Sequence, residues 1–426
     1  MPSRKRVLAD LRPLRESPEY RRLWFGQGLS AIGSQMTSVA VPVQVYAMTH
    51  SSLAVGAIGL TVAVPLIGVG LLAGSVADAL DRRKVVLVTS CALAFVSLAF
   101  ALQAIANLRQ LWLLYVLVAV QSCLFAIDQP ARSTFTPRLV RSERIPAAAA
   151  LNQLSFQLSG TAGPLLAGVV IAFAGLKAAY AVDAATFVFA VYAVARLRPM
   201  PPDGGGARPG FAAVAEGLRW VRHQPVLAMT FAVDLNAMIF GMPRALFPAL
   251  ALTHFGGGSR TVGLLYAAPA IGGMLGAAFS GRLEHVRRQG VAILVSIAVW
   301  GCAIAGFGLS RSLVLATVLL AAAGAADMVS AVFRQTILLA LTPDALLGRL
   351  NSVYFVVVAG GPRLGDLESG GVAAATSPVF SAVSGGVACV VGVIALGLAV
   401  PALARYRPPM APPPPPAEPA TTPVGG

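Results

Sequence analysis

VGAIGLTVAVPLIGVGLLAGSV (55–76) and VGLLYAAPAIGGMLGAAFSGRL (262–283) read as one segment written twice. Both begin Val-Gly, and both place a glycine 18 residues after the first, Gly56 to Gly74 and Gly263 to Gly281. Each is almost free of charge and long enough, as a helix, to cross roughly 30 Å of hydrocarbon. Further pairs follow in order: MTH (48–50) with LTH (252–254), Arg132-x-Thr134 with Arg334-x-Thr336, Asn152 with Asn351, and Gly163-Pro164 with Gly361-Pro362. Their offsets all lie between 198 and 207. Ordered matches at nearly one offset mean a duplicated chain of two parallel halves.

The composition says what solvent those halves occupy. Of 426 residues, 57% are hydrophobic and 12% charged, about half the charge of a soluble domain, and the mean hydropathy is +0.76. Apolar runs recur along the whole length, so the chain is an all-α polytopic membrane protein. In lipid only helices satisfy their own backbone at this length and composition. Twelve transmembrane helices are expected, near 23–49, 53–76, 85–106, 110–131, 146–173, 177–197, 226–253, 260–281, 290–309, 312–334, 350–375 and 377–404. The first run exceeds a signal-peptide core and reads as a retained helix.

Basic residues test that count. Of the 32 Lys and Arg, 26 fall at span ends on the side that carries both termini. Four fall on the other side (Arg109, Lys177, Arg260, Arg311), and Arg244 and Arg363 lie inside spans. The positive-inside rule then puts both termini in the cytoplasm. The net charge of +15 is orientation and attraction to anionic membrane lipids, not a nucleic-acid footprint. The expected organisation is a cytoplasmic N-terminus (1–22), a six-helix half (23–197), a linker (198–225), a second six-helix half (226–404) and a Pro-rich disordered tail (405–426). In the linker, RPMPPDGGGARPG is loop, and FAAVAEGLRWVRHQ is an amphipathic helix at the membrane surface.

Several classes drop out. Cys91, Cys123, Cys302 and Cys389 sit singly within apolar runs, as packing residues rather than ligands. Four scattered histidines offer no zinc site, no phosphate loop for ATP is present, and no nucleophile–base constellation marks an enzyme. Two duplicated halves with a site between them suit alternating access instead. No cofactor is expected beyond a proton gradient as driving force, and a monomer is expected.

Ionisable residues in mid-membrane are costly and mark function by default. Asp128 and Arg132 are spaced i,i+4 on helix 4, and Asp327 and Arg334 seven apart on helix 10; each pair shares a helix face. VVAGGPRLGDLESGGVA on helix 11 combines Arg363, Asp366 and Glu368 with six residues that weaken a helix. An interrupted helix with buried charge is expected there, with Asp366 or Glu368 as a proton or substrate group. Helix 7 holds Asp234, Asn236 and Arg244, and its counterpart, helix 1, holds Gln35 and Gln44. Asp183 on helix 6 reads as structural.

GSVADALDRRKVVL (74–87) gathers five charges into seven positions. It resembles the loop between helices 2 and 3 of the major facilitator superfamily, roughly G-x-x-x-D-R-x-G-R-R, through Gly74, Asp78, Arg82 and Arg83; Asp81 stands where glycine is usual. The resemblance implies a cytoplasmic gating loop. SGTAGPLLAG (159–168) is similar to that superfamily's helix-5 antiporter pattern through Gly163, Pro164 and Gly168, which implies proton-driven export, and the superfamily's cavity is lined by helices 1, 4, 7 and 10. VPVQVYAMTHSS, GLLYAA and TPDALLGRLN resemble its siderophore-export and drug-efflux branch. The expectation is a proton-driven exporter of a siderophore or lipophilic small molecule. An uptake symporter, a lipid flippase and a non-transporting sensor remain as alternatives.

Overall fold

A computed structural model describes residues 10–201, 211–278, 286–343 and 346–406. The side chains of 71–79, 211–213, 347–349 and 351–352 also lie outside it; Gly74 and Asp78 of the expected gating loop, and the expected disordered tail beyond 406, fall outside the described residues. Among the described residues every regular element is helical. The long helices are α1 (Pro18–Thr49), α2 (Ser52–Ala79), α3 (Arg82–Ile105), α4 (Leu111–Ser133), α5 and α6 (the arms of Ile145–Ala195), α7 (Pro225–Thr253), α8 (Ser259–Ala278), α9 (Gln289–Leu309), α10 (Leu313–Leu341), α11 (Leu347–Ala375) and α12 (Pro378–Ala399).

Nine described segments are long and apolar enough to cross a membrane. One of them, Ser142–Ala195, turns at Gly175, whose φ of 77° is left-handed and interrupts the helix. Glycine is suited to that turn because it carries no Cβ. Counting its two arms, and adding α1 and α11, is consistent with twelve spans.

Local chemistry sets the helix starts. Ser17, Ser51, Ser312 and Ser377 each cap a span by accepting a first-turn backbone N–H, which satisfies an otherwise orphaned donor. Ser17 starts α1 at Pro18, five residues before the apolar run begins. Asp81 caps α3, accepting from the amides of Arg83 at 2.9 Å and Lys84 at 3.4 Å. The residue that replaces the usual glycine of the loop thus has its own structural task.

Helices α1–α6 pack together as one lobe and α7–α12 as the other. The lobes meet chiefly through α2 against α11 and α5 against α8, two contacts that the internal repeat makes equivalent. In the segment between the lobes Phe211–Arg222 is helical, and Val221 packs with Leu227, Leu338 and Leu350.

One expectation fails. α11 runs unbroken from Leu347 to Ala375, through Pro362. The interruption lies in α7, where Pro225–Phe240 ends, a 3₁₀ turn follows at Arg244–Leu246, and Phe247–Thr253 resumes. Pro243 cannot donate a backbone hydrogen bond and disfavours helix at the residue before it. The Gly241 carbonyl left over is taken by the Trp300 indole N–H at 2.7 Å. Two of the α11 glycines serve close packing: a Cβ on Gly361 would lie 2.8 Å from the Met238 sulfur, and one on Gly365 3.0 Å from the Ile239 carbonyl oxygen.

Candidate functional site

A cavity of about 630 Å³ lies between the lobes. Its two walls differ in charge. Ser34, Gln35, Gln121 and Gln157 face it from the first lobe, whereas Arg244, Asp327, Arg363 and Asp366 face it from the second. Aromatic rings from both lobes complete the lining, among them Phe125, Phe156, Tyr266 and Trp300. A space with apolar walls and a few convergent polar groups is the general form of a small-molecule site.

The charged wall is built around two arginines. Arg244 sits in the break of α7, and Tyr266 of α8 donates its hydroxyl to the Arg244 carbonyl at 3.1 Å. Arg363 approaches Asp366 on the same face of α11, Nη1 to Oδ2 at 3.6 Å. Asp366 interacts electrostatically with both arginines. Its other oxygen, Oδ1, is buried and has no hydrogen-bond partner among the described residues. Glu368 is half-buried, points to a different face and does not line the cavity.

Asp327 joins the cavity to a buried ion pair. It accepts from Arg334 at 3.4 Å, and Arg334 also binds Asp234. Arg334 and Asp234 are nearly inaccessible, while Asp327 is 38% exposed at its side chain. The first lobe solves the same problem within one helix: Asp128 binds Arg132, accepts from Thr89 at 2.6 Å, and Arg132 reaches Ser90 at 3.1 Å. Asp128 and Arg132 are therefore held inside their lobe, off the cavity wall. Paired and hydrogen-bonded in this way, buried charges become tolerable.

Other sequence candidates also turn away. Gln44 is buried in a reciprocal amide pair with Gln103, both bonds at 3.0 Å, and accepts from Tyr180 at 2.8 Å. Asn236 donates to the Cys389 carbonyl at 2.9 Å, fastening α7 to α12. Gln35 does line the cavity. Of the helix-5 pattern, Gly163 packs against Gln35 and Ile32 of α1, and Gly168 packs against Gly263 of α8. Arg83 reaches the Ala195 carbonyl at 2.7 Å, and the Arg82 amide donates to the Met200 carbonyl at 3.1 Å, so the loop after α2 is tied to the end of α6. Arg244 was visible in the sequence only as a charge within a span; Gly-Met-Pro just before it is the signal of the turn that presents it.

The profile of a family described as transmembrane secretion effector matches residues 8–417. The chain belongs to that family of major facilitator transporters. It is 30% identical over 408 residues to the enterobactin exporter EntS of Citrobacter koseri, covering 95% of this chain and 97% of the relative. The EntS of Shigella boydii is 30% identical over 403 residues, covering 94% and 96%. Solved structures share the fold at low identity. A bacterial homologue of the lysosomal transporter Spinster is 16% identical with a TM-score of 0.69, covering 92% of this chain and 96% of that one. A bacterial homologue of the iron transporter ferroportin is 15% identical with a TM-score of 0.67, covering 91% and 99%. As a member of the secretion effector family the protein is a multi-pass membrane transporter of a small molecule, not an enzyme.

Proposed function

We propose that this transporter exports a catechol siderophore, or a similarly aromatic hydrogen-bond donor, out of the bacterial cytoplasm in exchange for protons. Both termini lie in the cytoplasm in this reading, and the lobes alternate access to the central cavity. The observation that carries the reading is Asp366, a carboxylate on the cavity wall beside Arg363 and Arg244. A catechol hydroxyl donating to that carboxylate and a proton arriving on it compete for the same group. Competition of that kind is what exchange requires: each ligand leaves as the other binds.

The arginines fit the same substrate. Arg244 and Arg363 donate to catechol oxygens, and the rings of Phe125, Phe156 and Tyr266 offer faces for stacking. Across the cavity, Gln35, Gln121 and Gln157 supply neutral hydrogen bonds that bind without fixing a charge. The likeness to enterobactin exporters supports siderophore over other small molecules. One proton moving down about 100 mV is worth roughly 2.3 kcal/mol, enough to hold a neutral substrate at about a 50-fold gradient.

The direction is tested in cells. A bacterial strain that makes enterobactin but lacks its exporter is expected to regain secretion when this chain is expressed. Intracellular catechol that rises on expression would instead mark uptake. Secretion of a lipophilic dye with no effect on enterobactin would move the substrate class to drugs.

A further inference from the structure

Asp183 is fully buried in the first lobe, where α1, α3 and α6 meet. Thr37 and Ser97 both donate to its Oδ2, at 2.6 and 2.9 Å, and Oδ1 has no hydrogen-bond partner among the described residues. The four other aspartates described within the spans, Asp128, Asp234, Asp327 and Asp366, each lie against an arginine. Asp183 does not. Gly33 and Thr37 from α1, Ser97 from α3 and Thr186 from its own helix are all neutral. Its titratable neighbour is Tyr180, one turn earlier, whose hydroxyl is taken up by Gln44 at 2.8 Å.

An unpaired carboxylate in hydrocarbon-like surroundings is strongly disfavoured, while a neutral carboxyl hydrogen-bonded to two hydroxyls is not. Thr37 also lines the central cavity, so one side chain stands between Asp183 and it. We propose that Asp183 is a second proton-binding site, one that exchanges its proton with the cavity through Thr37. A proton reaching the Thr37 oxygen from cavity water releases that hydroxyl's own proton to Asp183 Oδ2, and the reverse step empties the site. The part this site plays in the transport cycle rests on the proton-driven reading above; the existence of the site does not. Each lobe then carries one exchangeable proton, on Asp183 in the first and Asp366 in the second.

The test is infrared difference spectroscopy on the full chain in lipid, titrated across pH without substrate. The wild type is expected to show a protonated-carboxyl band that responds to pH, is lost in Asp183→Asn, and returns displaced in Asp183→Glu. Thr37→Val is expected to displace that band and slow its hydrogen–deuterium exchange at least tenfold. Identical spectra for the wild type and Asp183→Asn overturn the proposal, as does a band on Asp183 that never responds to pH. If Asp183→Asn does not fold, the band shifts of Asp183→Glu and Thr37→Val decide, and unchanged spectra in both overturn it. Absence of pH-gradient-driven flux in the wild type would count against the proton-driven reading without altering the infrared result.

Discussion

Gly263 lies so close to Gly168 that a Cβ added to it would sit 2.9 Å from the Gly168 Cα. The repeat reproduces the relationship, with Gly56 against the backbone at Asp366, where a Cβ would lie 3.2 Å from the Leu367 Cα. The glycine that opens each copy of the repeated segment is thus a point at which the lobes touch. Arg260 seals the first of these contacts by lying over the Phe173 ring, 4.3 Å from its centroid.

Both contacts lie toward the ends of the helices away from the termini, and any side chain there pushes the lobes apart at that end. Gly263→Val is expected to cost about 1–3 kcal/mol in overpacking, which shifts the balance between conformers by roughly 5- to 150-fold. A cysteine placed at Ser38 on the cavity wall reports it. Labelling from the side opposite the termini should rise in Gly263→Val, and unchanged labelling would show that the contact does not gate the cavity.

The buried Arg334 pair predicts a stability effect. Arg334→Met leaves Asp234 uncompensated, and breaking one side of a buried pair costs about 3–5 kcal/mol. Thermal unfolding in detergent should therefore fall sharply for Arg334→Met, and largely recover in the double variant Arg334→Met with Asp234→Asn. A double variant no more stable than the single one would refute this pairing energetics.

For the cavity arginines the effect should appear in affinity. A hydrogen bond to a charged group is worth about 1.5–3 kcal/mol, so Arg244→Gln or Arg363→Gln is expected to weaken enterobactin binding by roughly 10- to 150-fold. Tryptophan fluorescence offers a direct readout, because Trp300 lines the same cavity. Binding unchanged in both variants would remove the arginines from the site.

Glu368 provides a contrast within the same helix. It faces away from the cavity, so Glu368→Gln should transport within about twofold of the wild type. A loss comparable to that of an Asp366 variant would mean that the carboxylate reaches the site in another conformer.

The sequence made the scaffold readable because a bilayer forces long apolar runs and sorts lysine and arginine to one side. The duplicated glycines and the turn between α5 and α6 were legible for the same reason. Partnerships between distant helices were not. Arg334 looked committed to Asp327 seven residues before it, yet Asp234, a hundred residues away on α7, binds it as well. The glycines around Pro362 looked like a break, but they pack against Met238 and Ile239, while the inconspicuous Gly-Met-Pro of α7 interrupts its helix. Gln44 and Asn236 were placed on helices with cavity faces, and hydrogen bonds to Gln103, Tyr180 and Cys389 turn them inward. Nothing in the local sequence marks those partners.

Competition between proton and substrate at Asp366 is the step that couples the two flows in the proposed exchange. Proteoliposomes holding the wild type or Asp366→Asn, with enterobactin and an imposed pH gradient, address it most directly. The wild type should accumulate enterobactin against its own gradient, and Asp366→Asn should lose at least tenfold of that flux while still equilibrating enterobactin in the absence of a pH gradient. Full pH-driven accumulation by Asp366→Asn, or wild-type flux indifferent to the pH gradient, would contradict the account.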